Sequence, residues 1–338
     1  MSDQQCIAVT ETSQVGEARR VAARLAHAAG LGKADIGRIT LLVTELGNNL
    51  ARYAQGGRIL VQTLRTDTGP EVEVLAIDSG PGMADVQRCL QDGYSTGGTP
   101  GTGLGAVRRQ SSAFDVHSLP GRGTVVVARV SDDRNTTATS TFVWSAVSIP
   151  KAGEIVCGDS WQVTARGGDL SVLVADGLGH GPFAAEAAMK ARAVFDEDTF
   201  SDPRAILERA HAALTGSRGA AIAIARVSNG SNVLYAGVGN ISGSLMSAER
   251  SAGMISQNGT VGVRLRKVQQ MEYSWPPRSI LIMHSDGLSH RWSLGAYPGL
   301  LMRHPAVIAG VLSRDFSRGH DDATVIVVGA RVEEKAHA

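Results

Sequence analysis

A chain of 338 residues is longer than one compact domain usually needs, so two cores are expected. Its 33 basic and 32 acidic residues leave a net charge of +1, which excludes a basic footprint for nucleic acid or for an anionic membrane surface. The scattered Cys6, Cys89 and Cys157 exclude a disulfide framework and a structural zinc site, and no apolar run approaches the roughly 20 residues a bilayer requires.

The opening MSDQQCIAVT has neither a basic region nor a long apolar stretch, so a cytoplasmic location is expected. Val15, Ala18, Ala22, Leu25 and Ala29 keep helical spacing, and so do Ile36, Ile39, Val43, Leu46 and Leu50, which predicts two amphipathic helices. RILVQTL (58–64) and EVEVLAI (71–77) read as strands, followed by a Gly-rich stretch over 93–105, a short helix and a hairpin turning at 121–123. The polar run SDDRNTTATST separates two apolar strand-like runs, giving a first domain over 1–130, a linker over 131–141, a second domain over 142–331 and a tail over 332–338. The second domain alternates short strands with a helix near 183–195 and another after Pro203, the pattern of stacked sheets with flanking helices. The fold class expected is therefore mixed α/β (α+β) in two domains.

Three elements of the first domain carry chemistry. Glu45 and Asn49 lie four residues apart on the second helix, on one face beside its apolar stripe. A carboxylate there can accept a hydroxyl proton and an amide oxygen can hold Mg²⁺ on nucleotide phosphates, although on a solvated flank such a pair is ordinary. Asp78-Ser79-Gly80-Pro81-Gly82-Met83 begins where a strand runs out, and reads either as an acceptor for an adenine amino group or as a plain turn. The glycines from Gly97 to Gly105 open a helix, where backbone N–H groups suit a triphosphate or merely form a linker. Neither a Rossmann fingerprint nor a P-loop is present, because no parallel βαβ unit and no Lys-Ser or Lys-Thr ending accompany them.

In this order, ExxxN, DxGxGM and GTGLG resemble the nucleotide-binding domain shared by gyrase, Hsp90, sensor histidine kinases and MutL, over about residues 10–130. TELGNNLARYAQGG, DSGPGM, LQDGYSTGG with GTGLGAVRR, and GRGT are most similar to the stressosome switch kinase and its anti-sigma-factor kinase relatives. The resemblance implies a Bergerat-type α/β sandwich holding ATP and Mg²⁺, and phosphorylation of a serine on a small antagonist or scaffold protein. It implies Glu45 as catalytic base and Asn49 as Mg²⁺ ligand. Asp78 becomes the adenine reader, Gly80, Gly82, Gly101, Gly103, Leu104 and Gly105 the nucleotide contacts, and Thr124 a support for the adenine pocket. No phosphoacceptor-histidine segment and no gyrase-like or chaperone extension is recognisable, which sets the autokinase, topoisomerase and chaperone readings aside.

In the second domain four acidic positions stand at strand edges: Asp159, Asp176 followed by Gly177, Asp286, and the pair Asp321 and Asp322. Gathered carboxylates repel unless cations neutralise them, and oxygen-only ligands favour Mg²⁺ or Mn²⁺ over Zn²⁺. Two such ions can share a water, lower its pKa and clamp a phosphate, though each Asp-Gly alone is a common turn. VCGDSW, VADGLGHG, YAGVGNIS, MHSDGL and HDDATVIVV resemble the metal-dependent phosphatases typified by sporulation stage II protein E, over about residues 142–331. That implies an α-β-β-α sandwich and two Mn²⁺ or Mg²⁺ ions on Asp159, Asp176, the Gly177 carbonyl, Asp286 and, at the last position, Asp321 or Asp322, with Asp321 favoured by the motif. His180, His284, His290 and His320 lack a paired i,i+4 spacing and read as neighbours or surface residues. Cys157 lacks a following Arg-rich phosphate loop and reads as a small packed residue.

Three functions stay open. The first is a bifunctional partner-switching regulator, linked to an anti-sigma and sigma system, that phosphorylates and dephosphorylates a protein serine. The second is a phosphatase whose front domain binds ATP or a partner without catalysis. The third is a non-enzymatic module that binds an antagonist protein. Nucleic acid and membrane are not expected partners.

Overall fold

The computed structural model describes residues 4–54, 56–91, 103–132, 140–228 and 231–331. Two compact units emerge, Met1–Thr137 with Ser293–Arg314, and Ala138–Trp292 with Asp315–Ala338. The first unit therefore takes in a segment that the sequence reading assigned wholly to the second domain. Apolar spacing shows that residues 305–316 form a buried helix, but it does not show which core that helix joins.

In the first unit the chain runs β1 (Gln5–Ala8), α1 (Thr12–Ala28), α2 (Lys33–Tyr53), β2 (Arg58–Thr66), β3 (Gly69–Ile77), α3 (Val86–Cys89), α4 (Gly103–Gln110), β4 (Ala113–Ser118) and β5 (Thr124–Ser131). The five strands form one antiparallel sheet in the order β1-β2-β3-β5-β4. Gln14 reaches back to the N–H of Glu11 at 3.1 Å and so closes the first turn of α1. The predicted stripes of α1 and α2 bury Val15, Ala18, Ala22, Ile39 and Leu46 against Ile59, Val61, Val72, Val74, Val126 and Ala128 on one sheet face. Strand alternation sends Leu60, Leu75, Ile77, Val125 and Val127 to the opposite face, and these are buried too. Gly310 lies on that side, where a methyl group in place of its hydrogen would sit 2.7 Å from a Val125 methyl.

In the second unit follow β6 (Phe142–Ile149), β7 (Asp159–Arg166), β8 (Asp169–Gly177), α5 (Pro182–Glu197), α6 (Pro203–Ala213), β9 (Ala220–Ser228), β10 (Asn232–Val238), β11 (Ser242–Met246), β12 (Ser251–Met254), β13 (Met271–Ser274) and β14 (Ile280–His284); α7 (Pro305–Phe316) bridges the unit boundary before β15 (Ala323–Ala330). Two antiparallel five-stranded sheets result, β13-β10-β9-β8-β7 and β12-β11-β14-β15-β6. They meet face to face: Trp144 of β6 stands edge-on to Trp161 of β7 at 5.8 Å, a contact worth about 0.5–1.5 kcal/mol beyond its burial. Outside the first sheet, α5 and α6 pack Ala187, Ala191, Phe195, Ile206 and Leu207 on Leu173, Ile222 and Ile224. Pro182 and Pro203 open these helices, and Asp202 caps α6 through the N–H groups of Arg204 and Ala205 at 3.0 and 3.4 Å. α7 is buried from Pro305 to Ser313. Both sandwiches implied by the sequence are thus present, and among the described residues no helix is long and apolar enough to cross a membrane.

Candidate functional site

The nucleotide elements of the first unit lie around the end of its central strand, β3, and the facing side of α2. Glu45 and Asn49 are half-buried on α2, and α4 starts against them: a methyl at Gly103 would stand 2.9 Å from a Glu45 carboxylate oxygen and 4.0 Å from the Asn49 amide nitrogen. The helix N-terminus, with its free N–H groups, is thereby brought to the pair. Leu104 packs on the core beside buried Gly105. Gly101 falls outside the described residues.

Asp78 follows the last residue of β3, whose ladder with β5 extends through its N–H to the Thr124 carbonyl at 2.9 Å. Its Oδ1 accepts from the N–H groups of Gly80 at 2.7 Å and Thr124 at 3.3 Å. Burial pushes the Asp78 carboxyl above its usual range, opposed by the Gly80 and Thr124 N–H groups and by the Arg314 cation. Among the described residues Oδ2 has no hydrogen-bond partner, which leaves an acceptor for a ligand amino group. Gly80 sits against the end of α2, where a methyl would be 2.6 Å from the Tyr53 carbonyl, and Gly82 turns at φ 70° beneath Leu119.

Three contributors to this site went unread in the sequence. Ser118 accepts from the Met83 N–H at 2.7 Å and lies 2.9 Å from the Thr124 hydroxyl, locking the DSGPGM turn to the β4–β5 hairpin. Gly123, at φ 78°, leaves no room for a methyl against the Asp78 carbonyl, a need hinted at only by its place in GRGT. Arg314 donates to that same carbonyl at 3.1 Å, from a distance in sequence that no local signal reveals.

The second unit gathers its acids by strand register. Asp159 opens β7 and Asp176 is the last residue but one of β8, directly opposite it. Asp286 follows β14 and Asp321 with Asp322 precede β15, its neighbour in the other sheet. Ser285 donates to Asp159 Oδ2 at 2.7 Å and accepts from the Thr324 N–H at 2.9 Å, tying the two sheets at this point. The carboxyls of Asp159 and Asp176 are both raised, first by burial; Asp176 is raised further by Asp159, Asp286, Asp321 and Asp322. Gly177 lies hard under the Ala184 carbonyl of α5, where no side chain fits.

The two last acids have different surroundings. Asp322 is buried and its Oδ1 accepts the Lys151 N–H at 2.9 Å, while Asp321 accepts the Asp322 N–H at 3.0 Å. Asp286 is turned to the Asn240 amide at 2.6 Å. Accordingly, no three His, Cys, Asp or Glu side chains close into a ready ligand cage among the described residues. The donor set nevertheless fits a hard cation: Asp159 Oδ1 and Asp322 Oδ2 are buried oxygens without a hydrogen-bond partner beside mutually repelling carboxylates. Burial, then the neighbouring Asp159, pushes the Cys157 thiol well up, so it is no thiolate nucleophile. His284 is pushed down to about 4 by burial, its Nε2 accepting from Trp292 at 3.3 Å, and His180 is paired with Glu154 at 2.6 Å.

Comparison with known proteins follows the same division. A model of the histidine kinase-like ATPase domain matches residues 8–130, and one of stage II sporulation protein E matches residues 166–331. The chain is 33% identical over 128 residues to the serine/threonine-protein kinase RsbT of Bacillus subtilis (strain 168), covering 38% of this chain and 96% of that one. It is 29% identical over 141 residues to the phosphoserine phosphatase RsbX of the same organism, covering 41% of this chain and 71% of that one. A solved structure from a bacterial stressosome, described as a modular system adapted to control secondary messenger signalling, aligns at 28% identity with a TM-score of 0.52 over 55% of this chain and 98% of that one.

Proposed function

The chain belongs to the histidine kinase-like ATPase family through its first half and to the stage II sporulation protein E family through its second, and on that premise we propose that it is a partner-switching regulator that both adds and removes phosphate on a protein serine. The second half is a serine/threonine phosphatase of the metal-dependent class, and the first half is a kinase of the RsbT kind. The observation that carries the reading is the opposition of Asp159 and Asp176 across β7 and β8, with three further carboxylates raising the pKa of Asp176.

When bound there, two Mn²⁺ or Mg²⁺ ions supply a water of lowered pKa and a clamp on the phosphate it attacks. Asp159, Asp176, the Gly177 carbonyl, Asp286 and Asp321 are the residues that would hold them. Asp322, whose Oδ1 is engaged by the Lys151 N–H, keeps its buried Oδ2 for the same site as the alternative to Asp321. In the first unit ATP with Mg²⁺ fits the acceptor at Asp78, the helix start at Gly103 and the Asn49 amide. Glu45 takes the proton of the attacking serine; Gly80, Gly82, Gly101, Leu104 and Gly105 let the nucleotide approach the backbone, and Thr124 holds the adenine side. The partner is a small antagonist or scaffold protein with a phosphorylatable serine, in a system that controls a sigma factor.

The test is a two-stage labelling reaction. Purified protein, such an antagonist protein and labelled ATP with Mg²⁺ are expected to give labelled antagonist, and addition of Mn²⁺ to release the label. Asp176→Asn should retain the label, with hydrolysis down by about 10³-fold or more. Glu45→Ala should prevent labelling; full labelling by that variant removes the base assignment, and no labelling by the wild type reduces the front half to an ATP- or partner-binding regulator.

A further inference from the structure

The rim of the metal site is both apolar and cationic. Ile155 is 96% exposed just ahead of Asp159, Leu178, 48% exposed, directly follows Asp176 and Gly177, and Phe183, 65% exposed, stands in the first turn of α5. Such large side chains are rarely left in water beside a polar site without a partner. Arg218 stacks its guanidinium 5.1 Å from the centre of the Phe183 ring, against the backbone of Gly179, where a methyl would lie 2.9 Å from its Nη1. The cation is thus held in place while staying exposed.

A turn from another part of the chain completes the rim. Val261 exchanges both backbone hydrogen bonds with Ala220, at 3.0 and 2.9 Å, and Ala220 is itself opposite Gly177 in the β8–β9 ladder. Two strand spacings therefore separate this turn from Gly177, roughly 10 Å. Val263 is 63% exposed there, and Arg264, Arg266 and Lys267 are exposed beside it. None of these cations, nor Arg218, forms an ion pair among the described residues, whereas the one acid of this rim, Glu154 beside Ile155, lies against Gly181 and is turned to His180 at 2.6 Å. An acidic centre that needs cations to accept a phosphate is in this way flanked by a positive, apolar margin complementary to an acidic protein surface.

We propose that Arg218, with Ile155, Leu178, Phe183, Val263 and Arg264, is the docking surface for the phosphoserine-bearing protein, and that it reads acidic and apolar residues about three positions from the phosphoserine, the reach of an extended chain over roughly 10 Å. This rests on the phosphatase reading and adds the choice of substrate to it. Arg218 is a specificity residue: its guanidinium rests on the Phe183 ring and the Gly179 backbone, so it acts on the substrate's flank and leaves the bond being broken to the metal site.

The experiment compares two synthetic phosphoserine peptides, one with Glu and Leu three residues to either side and one with Lys and Ser there, and p-nitrophenyl phosphate, all with Mn²⁺ and the full chain. The wild type is expected to favour the acidic peptide about tenfold in kcat/KM, mainly through KM, and Arg218→Glu to erase or invert that preference. Turnover of p-nitrophenyl phosphate should stay within about twofold, which also certifies that the variant is folded. Equal wild-type rates on both peptides overturn the proposal, as does a preference that survives Arg218→Glu. If Arg218→Glu instead dissociates a dimer of this chain without altering the preference, the surface belongs to a second copy and the proposal fails. A wild type that hydrolyses neither peptide nor p-nitrophenyl phosphate removes the phosphatase reading itself, an outcome distinct from lost preference.

Discussion

Asp78 and Asp176 are both partly buried carboxylates at the end of a central strand, yet their surroundings differ in kind. Burial raises the Asp78 carboxyl too, but two backbone N–H groups and the Arg314 cation oppose that rise, so the protein supplies part of the support its negative charge needs. Asp176 is met by four other carboxylates, and its raised pKa records repulsion added to burial. One unit presents a finished acceptor to a neutral amino group, while the other presents an unbalanced charge that only cations can complete. A nucleotide is expected to bind the first with little change in the surrounding charge, and a metal to stabilise the second strongly.

The largest expected effect tests the second half of that contrast. Saturating Mn²⁺, at about a hundred times its dissociation constant, should stabilise the protein by about 2.7 kcal/mol per site in denaturant or thermal unfolding. Asp176→Asn should remove most of that gain and Asp78→Asn none of it; a gain that persists in Asp176→Asn would show that the ions are held elsewhere. Next in size, Asp78→Asn should weaken ATP binding about 10- to 100-fold in calorimetry, since an amide in place of the carboxylate loses a charge-assisted hydrogen bond. Unchanged affinity would mean that adenine is read by another group. Smallest, Arg314→Ala should cost about 0.5–1.5 kcal/mol of stability through its bond to the Asp78 carbonyl, read from the shift in the unfolding midpoint.

What could be read from residues alone follows from how each site is built. Strand ends were visible because apolar runs stop at Asp-Gly and Gly-Asp dipeptides, and the strands at 58–64 and 71–77 fall within β2 and β3. Helical spacing located α1 and α2, which in the structure extend to Thr12–Ala28 and Lys33–Tyr53. The partners that hold the acids were not visible. Ser285 on Asp159, the Lys151 N–H on Asp322 and Ser118 beneath the DSGPGM turn are ordinary residues whose importance comes from sheet register and chain crossing. Register is a property of pairs of strands, and a single sequence states only one member at a time. The allegiance of Ser293–Arg314 was hidden for the same reason, since an apolar helix carries no label for the core it enters.

That allegiance sets an order of synthesis. The face of the first sheet that bears Val125 is joined by Gly310, so the first unit is not complete when its own strands have been made. About 155 residues separate its two segments, and at roughly 5–20 residues per second a ribosome needs on the order of 10–30 s to make them. A chain caught in that interval is expected to leave Leu75 and Ile77 of this face uncovered, because Gly310, which lies against them, is not yet translated. One face of the nucleotide-binding half, although that half comes first in the chain, is thereby covered late.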